Sequence, residues 1–183
     1  RDLHSFPTRR SSDLRILGLV ALVSVLVQAQ VLDDFSQGGW ERFSSTPGTL
    51  VVEPGRLHLQ DADEAPDWVT ASKRFSVDLD QAPLFVVNVT ALSDHGTVKL
   101  LRKNPDDKRT VLAMGSPGLS VIDLSKRFGW KGPCEIEVCL YAVGFGESID
   151  YAYVQFAGKL SAEQEAALKE REEGRNLKLN VVA

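Results

Sequence analysis

Residues 134–143 read CEIEVCLYAV, and this stretch decides the fold. Cys134, Ile136, Val138 and Leu140 alternate with Glu135, Glu137, Cys139 and Tyr141. A period of two belongs to a β-strand with one face buried and the other turned to water. The signature spreads in both directions. RLHLQ (56–60) sets Leu57 and Leu59 on one side, and RFSVDL (74–79) sets Phe75, Val77 and Leu79 opposite Ser76 and Asp78. LFVVNVTA (84–91) is apolar enough to be covered on both faces, which places it centrally. GTVKLLRK (96–103), RTVLAM (109–114) and LSVIDL (119–124) continue the series. SIDYAYVQFAG (148–158) closes it, with Ile149, Tyr151 and Tyr153 expected opposite Asp150, Ala152, Val154 and Phe156. DHG, NPDD, GSPG, GWKGP and GFGES supply turns between them. About ten short strands in roughly 125 residues, with no helical pattern interrupting, predict an all-β fold. The expected architecture is an antiparallel jelly-roll β-sandwich over 30–158, followed by a short C-terminal helix.

Composition narrows the function classes. The chain has 183 residues, 43% hydrophobic and 25% charged, which suits one globular domain with appendages. A net charge of -4 gives no basic footprint for nucleic acid. Two cysteines are too few for a disulfide-built scaffold. Cys134 and Cys139 are five residues apart on one strand, so they point to opposite faces about 17 Å apart, and no bridge between them is expected.

The first residues stand outside the domain. Back-translated, FPTRRSSDL (6–14) gives TTC-CCT-ACA-CGA-CGC-TCT-TCC-GAT-CT, which resembles the end of a sequencing-library adapter. Residues 1–14 are therefore read as an assembly scar rather than protein design. RILGLVALVSVLVQA (15–29) follows. Its apolar run from Ile16 to Val27 is shorter than the ~20 residues that span a bilayer and has the length of a signal-peptide core. Val27-Gln28-Ala29 fits a cleavage site, so secretion from a bacterial cell is expected, without lasting membrane insertion.

At the other end, SAEQEAALKEREEGR (161–175) has Ser161 and Gln164 spaced as a capping box and Gly174 as a stop. Its apolar stripe is thin. Residues 159–183 read as a solvated helical linker, leading toward a downstream catalytic domain beyond this sequence.

Little in the body carries chemistry. His58 falls on the polar side of a strand and His95 at a turn, and MGSPG (114–118) lacks the spacing of a nucleophile elbow. Glu135 and Glu137 share a strand face about 7 Å apart, a separation at which two carboxyls can act on a glycosidic bond. Jelly-roll glucanases carry acids at three successive same-face positions, and here the third is Cys139. Asp33 and Asp34 open the first strand and Asp150 lies in the last, so Asp34 and Asp150 form a candidate structural calcium site if those strands adjoin. Among the aromatics, Trp40 and Trp130 follow glycines and read as core plugs, whereas Trp68 and Tyr141 read as sugar-stacking platforms.

LDDFSQGGW (32–40), GRLHL (55–59), FSVDLDQAPLFVVNVTAL (75–92) and VIDLSKRFGWKGPCEIEVCLYAVGFGESIDYAYVQF (121–156) together resemble the accessory β-sandwich of secreted bacterial glycosidases. That family is of galactose-binding-like, carbohydrate-binding-module type. Asp78, Leu79 and Pro83 match one of its strand motifs, Asp123, Leu124, Trp130 and Gly132 a second, and Asp150 and Val154 the last. The resemblance implies a non-catalytic domain that binds polysaccharide, with Trp68, Tyr141, Glu135 and Glu137 as contact residues. The competing expectations are an adhesion domain without a sugar site and a small glycan-cleaving enzyme built on Glu135 and Glu137.

Overall fold

The computed structural model describes residues 30–43, 47–62, 67–93, 96–104, 107–144 and 146–181, without side chains at 67, 104, 144 and 173–181. The elements run β1 (Gln30–Asp33), β2 (Glu41–Phe43), β3 (Gly48–Glu53), β4 (Arg56–Asp61), β5 (Asp67–Asp78), β6 (Leu84–Leu92), β7 (Gly96–Asn104), β8 (Lys108–Met114), β9 (Gly118–Asp123), α1 (Leu124–Phe128), β10 (Pro133–Gly144), β11 (Ser148–Ala157) and α2 (Ala162–Val181). They form two antiparallel sheets. One has the order β3-β4-β11-β6-β9, with β1 also paired to β11, and the other the order β2-β5-β10-β7-β8. From β4 to β11 every connection changes sheet except the β7–β8 hairpin, which is the jelly-roll path expected from the strand series.

The alternation in 134–143 is realised in β10. Ile136, Val138 and Leu140 are fully buried, and Glu135, Glu137 and Tyr141 lie on the outer face. Between the sheets the rings of Phe35, Trp40, Phe75, Phe156 and Phe85 touch in succession, with centroids 5.2–6.1 Å apart. Trp40 and Trp130 are both buried, as their glycine-flanked positions suggested, and the Arg102 guanidinium lies 5.8 Å from the Trp130 ring. Burial of this many large apolar side chains, at about 25 cal/mol per Å², is the main term holding the layers together.

Three details depart from simple periodicity. β11 carries register shifts around Tyr151, so Ile149 and Tyr151 point inward and, past the irregularity, Val154 and Phe156 do so too. Tyr153 is thereby turned outward, against the expectation that it shares a face with Tyr151. A one-turn helix, α1, interrupts the strands: Asp123 caps it through the Lys126 N–H at 2.8 Å, and Gly129 ends it at φ 67°. Finally, α2 runs on through Gly174, which is tolerated inside a helix at a cost of about 1 kcal/mol.

The N-terminus of α2 has the expected capping box, in which Ser161 Oγ accepts the Gln164 N–H at 3.2 Å and Gln164 Oε1 accepts the Ser161 N–H at 3.0 Å. The helix is not free of the sandwich. Gln164 donates to Gln155 Oε1 and to the Tyr153 hydroxyl, and Arg171 donates to the Leu119 carbonyl, Ser120 and Ser116. Residues 1–29, including the adapter-like stretch and the leader-like run, lie outside the described residues.

Candidate functional site

The outer face of the five-stranded sheet gathers the residues singled out above. On its central strand, β10, Glu137 stands between Arg74 and Leu101, Cys139 between Ser72 and Lys99, and Tyr141 between Thr70 and Thr97. β2 adds Glu41 beside Ser72 and Phe43 beside Thr70. β8 adds Val111 beside Lys99 and Arg109 beside Leu101. Five strands at about 4.8 Å give a face roughly 19 Å across, wide enough to seat several sugar rings.

One end of this face is aromatic. Phe43 stacks on Trp68 with centroids 6.1 Å apart and planes 27° apart, and Trp68 meets Tyr141 edge-on at 5.5 Å. Phe43 is 70% exposed, so the outer side of its ring is open to solvent. Burial raises the Tyr141 phenol above its ordinary range, with Cys139 adding to the effect and the Thr70 hydroxyl opposing it. Below the aromatics lies a cleft of about 330 Å³ lined by Glu41, Phe43, Ser72, Lys99, Glu137 and Tyr141. A second hollow of about 520 Å³, bounded by Gly39, Arg74 and again Glu41, Ser72 and Glu137, continues it.

Trp68, Tyr141, Glu135 and Glu137 are therefore brought to one surface. The two glutamates do not stand as an isolated acid pair. Arg74 lies 3.5 Å from Glu135 and Lys103 lies 3.5 Å from Glu137. Next on the same face, the Cys139 thiol is pushed up to about 11 by burial, with Glu137 contributing, so it stays protonated and weakly nucleophilic at neutral pH. Cys134 faces the core, and both thiols are free.

Phe43, Glu41 and Lys99 were missed in the sequence. A three-residue strand has too few positions to show a period, and Lys99 looked like an ordinary solvent-facing residue of an amphipathic strand.

The candidate calcium pair is placed apart. β1 does run beside β11, but Asp33 pairs with Val154, so Asp34, one residue on, is level with Tyr153 and three strand positions from Asp150, about 10 Å. The Asp34 carboxylate accepts the Ser36 hydroxyl at 2.6 Å and the Ser36 N–H at 3.1 Å, which together lower its pKa. Asp150 is held by Arg56 at 3.2 Å and by His58 Nδ1 at 2.6 Å. Among the described residues no cluster of three or more His, Cys, Asp or Glu is placed to hold a metal ion.

No family model and no curated protein sequence matches the chain. Solved structures do. The neighbours are carbohydrate-binding modules. A family 11 module from a Clostridium thermocellum cellulosomal cellulase is 11% identical, covers 72% of this chain and 96% of its own, and superposes with a TM-score of 0.49. A family 29 module is 10% identical, with 66% and 80% covered and a TM-score of 0.46. A low-affinity xylan-binding module of family 86 from Roseburia intestinalis is 13% identical, with 69% and 99% covered and a TM-score of 0.44. At these identities the likeness concerns the path of the backbone.

Proposed function

We propose that this chain is a non-catalytic β-sandwich that binds a glycan along the outer face of its five-stranded sheet. One observation carries the reading: Phe43, Trp68 and Tyr141 form an aromatic shelf on the solvent side of the sheet, at the head of a polar cleft. A pyranose presents apolar C–H groups on one face and hydroxyls around its rim. A shelf of rings takes the first, and carboxylates, ammoniums and hydroxyls such as Glu41, Ser72, Lys99 and Glu137 take the second. The Glu135 and Glu137 carboxyls serve as hydrogen-bond acceptors. Each has a cation beside it, and the adjoining Cys139 thiol is too weak an acid to stand in for a third carboxyl. Export from a bacterial cell and attachment to a glycan-active protein fit this role, and the leader-like run at 15–29 supports export.

Affinity electrophoresis through gels containing soluble polysaccharides tests the reading. The chain is retarded by at least one polysaccharide, and Phe43→Ala and Tyr141→Ala each weaken retardation about fivefold or more, as central aromatic anchors do. Retention by no polysaccharide would leave the adhesion alternative standing. Release of reducing ends, lost in Glu137→Gln, would restore the enzyme alternative.

A further inference from the structure

The charges on the binding face are unevenly spread. On the β2–β5–β10 side, acids and bases alternate: Glu41, Arg74 and Glu135. On the β7–β8 side, Lys99, Lys103 and Arg109 all point outward. The adjacent carboxylate, Glu137, is already engaged by Lys103. Lys99 is half-buried, stands beside Cys139 and Val111, and makes no ion pair or hydrogen bond among the described residues. Val111 is 59% exposed and Leu101 is the next outward residue of β7, so Lys99 is flanked by apolar side chains along β7–β8, while the cleft it lines also holds Glu41 and Glu137. A half-buried ammonium that no carboxylate contacts directly stays open to a counter-charge brought by a ligand.

Its position relative to the aromatic shelf identifies that ligand. Tyr141 pairs with Thr97 and Cys139 with Lys99, so Lys99 is the diagonal cross-strand neighbour of Tyr141, about 7–8 Å away. That is close to the size of one sugar ring. A ring stacked on the shelf therefore carries an exocyclic substituent to the Lys99 ammonium. We infer that the face selects glycans bearing carboxylates, that is, uronic-acid polysaccharides, through Lys99, with Lys103 and Arg109 drawing the anionic chain along the β7–β8 edge. This rests on the glycan-binding reading and adds the class of sugar.

The test measures binding of the full chain to polygalacturonate, alginate and glucuronoxylan, each beside its carboxyl-reduced, uncharged form. The expected result is retention of at least one uronate polymer about tenfold tighter than its reduced form. That preference weakens as salt is raised, is abolished in Lys99→Met and is retained in Lys99→Arg. Equal binding of charged and reduced forms, or a preference unchanged in Lys99→Met, overturns the inference while leaving glycan binding intact. Binding of dextran sulfate more tightly than every uronate polymer also overturns it, since the surface then reads polyanions rather than sugar carboxylates. Binding of none of the charged, reduced or neutral polymers overturns the glycan-binding reading itself.

Discussion

Replacing Lys73 with methionine removes the ammonium that neutralises a buried carboxylate. Asp33 is 5% exposed, and its Oδ2 lies 2.6 Å from Lys73 Nζ. The same ammonium donates to the Gly38 carbonyl at 2.5 Å, and Asp33 Oδ1 accepts the Phe35 N–H at 2.8 Å. Phe35 sits at φ 70°, a conformation costly for a residue with a Cβ, and its ring packs on Trp40. Lys73 thus pins the β1–β2 loop, which in turn sets where β2 delivers Glu41 and Phe43. Methionine keeps an unbranched stem of similar length, so what changes is the charge, together with the ammonium's position 5.8 Å from the Phe75 ring centroid. Breaking one partner of a buried pair costs about 3–5 kcal/mol, which for a domain of this size lowers Tm by roughly 10–15 °C. Removing both charges, Lys73→Met with Asp33→Asn, recovers most of that loss, because no unpaired carboxylate remains. Thermal and urea unfolding of the parent, the two single variants and the double variant check this. A Lys73→Met protein within 1 kcal/mol of the parent, or a double variant worse than the sum of the single ones, would refute the reasoning.

Two further outcomes follow from the geometry. Arg171→Ala removes the bonds to Leu119, Ser116 and Ser120, so amide exchange in α2 speeds up while the unfolding midpoint of the sandwich moves by less than about 1 kcal/mol. In alkaline solution the domain loses stability: the Cys139 thiol is raised by burial from its ordinary 9.0 to about 11, so the unfolded chain ionises first. Stability is undiminished below pH 9 and falls by up to about 3 kcal/mol as pH rises to 11, with buried Tyr151 and partly buried Tyr141 adding in the same direction. Urea midpoints from pH 7 to pH 11 measure this, and Cys139→Ser flattens the slope.

The fold was legible where alternation was long enough to count. β10 and β5 carry twelve residues each, and a single buried face explains most of their alternation, while β6 was legible as an apolar run covered on both faces. What escaped was short or irregular. β2 has three residues, so the strand that presents Phe43 left no period to read. The turned-out Tyr153 follows from the β11 irregularity, and the position of an inserted residue is set by packing against β6 rather than by local composition. The docking of α2 was hidden for a different reason. Its thin apolar stripe argued for solvent, yet the contacts that hold it are polar ones from Gln164 and Arg171, which a hydrophobic pattern does not register. Of the candidate site, Tyr141, Glu135 and Glu137 were legible from the outward parity of 134–143, whereas Trp68 was singled out only as an aromatic after the acidic stretch 61–67, with its strand read as starting at residue 74. Lys99 became meaningful only once its neighbours were known: an unpaired ammonium is a property of three adjacent strands, not of one.

The claim that a glycan lies across the outer face of the five-stranded sheet is tested most directly by amide chemical-shift mapping during titration with a soluble polysaccharide that retards the chain. The account predicts shifts concentrated on Phe43, Trp68, Ser72, Lys99, Glu137 and Tyr141, with the opposite sheet and α2 undisturbed. Shifts confined to the β3-β4-β11-β6-β9 sheet or to α2 would contradict it.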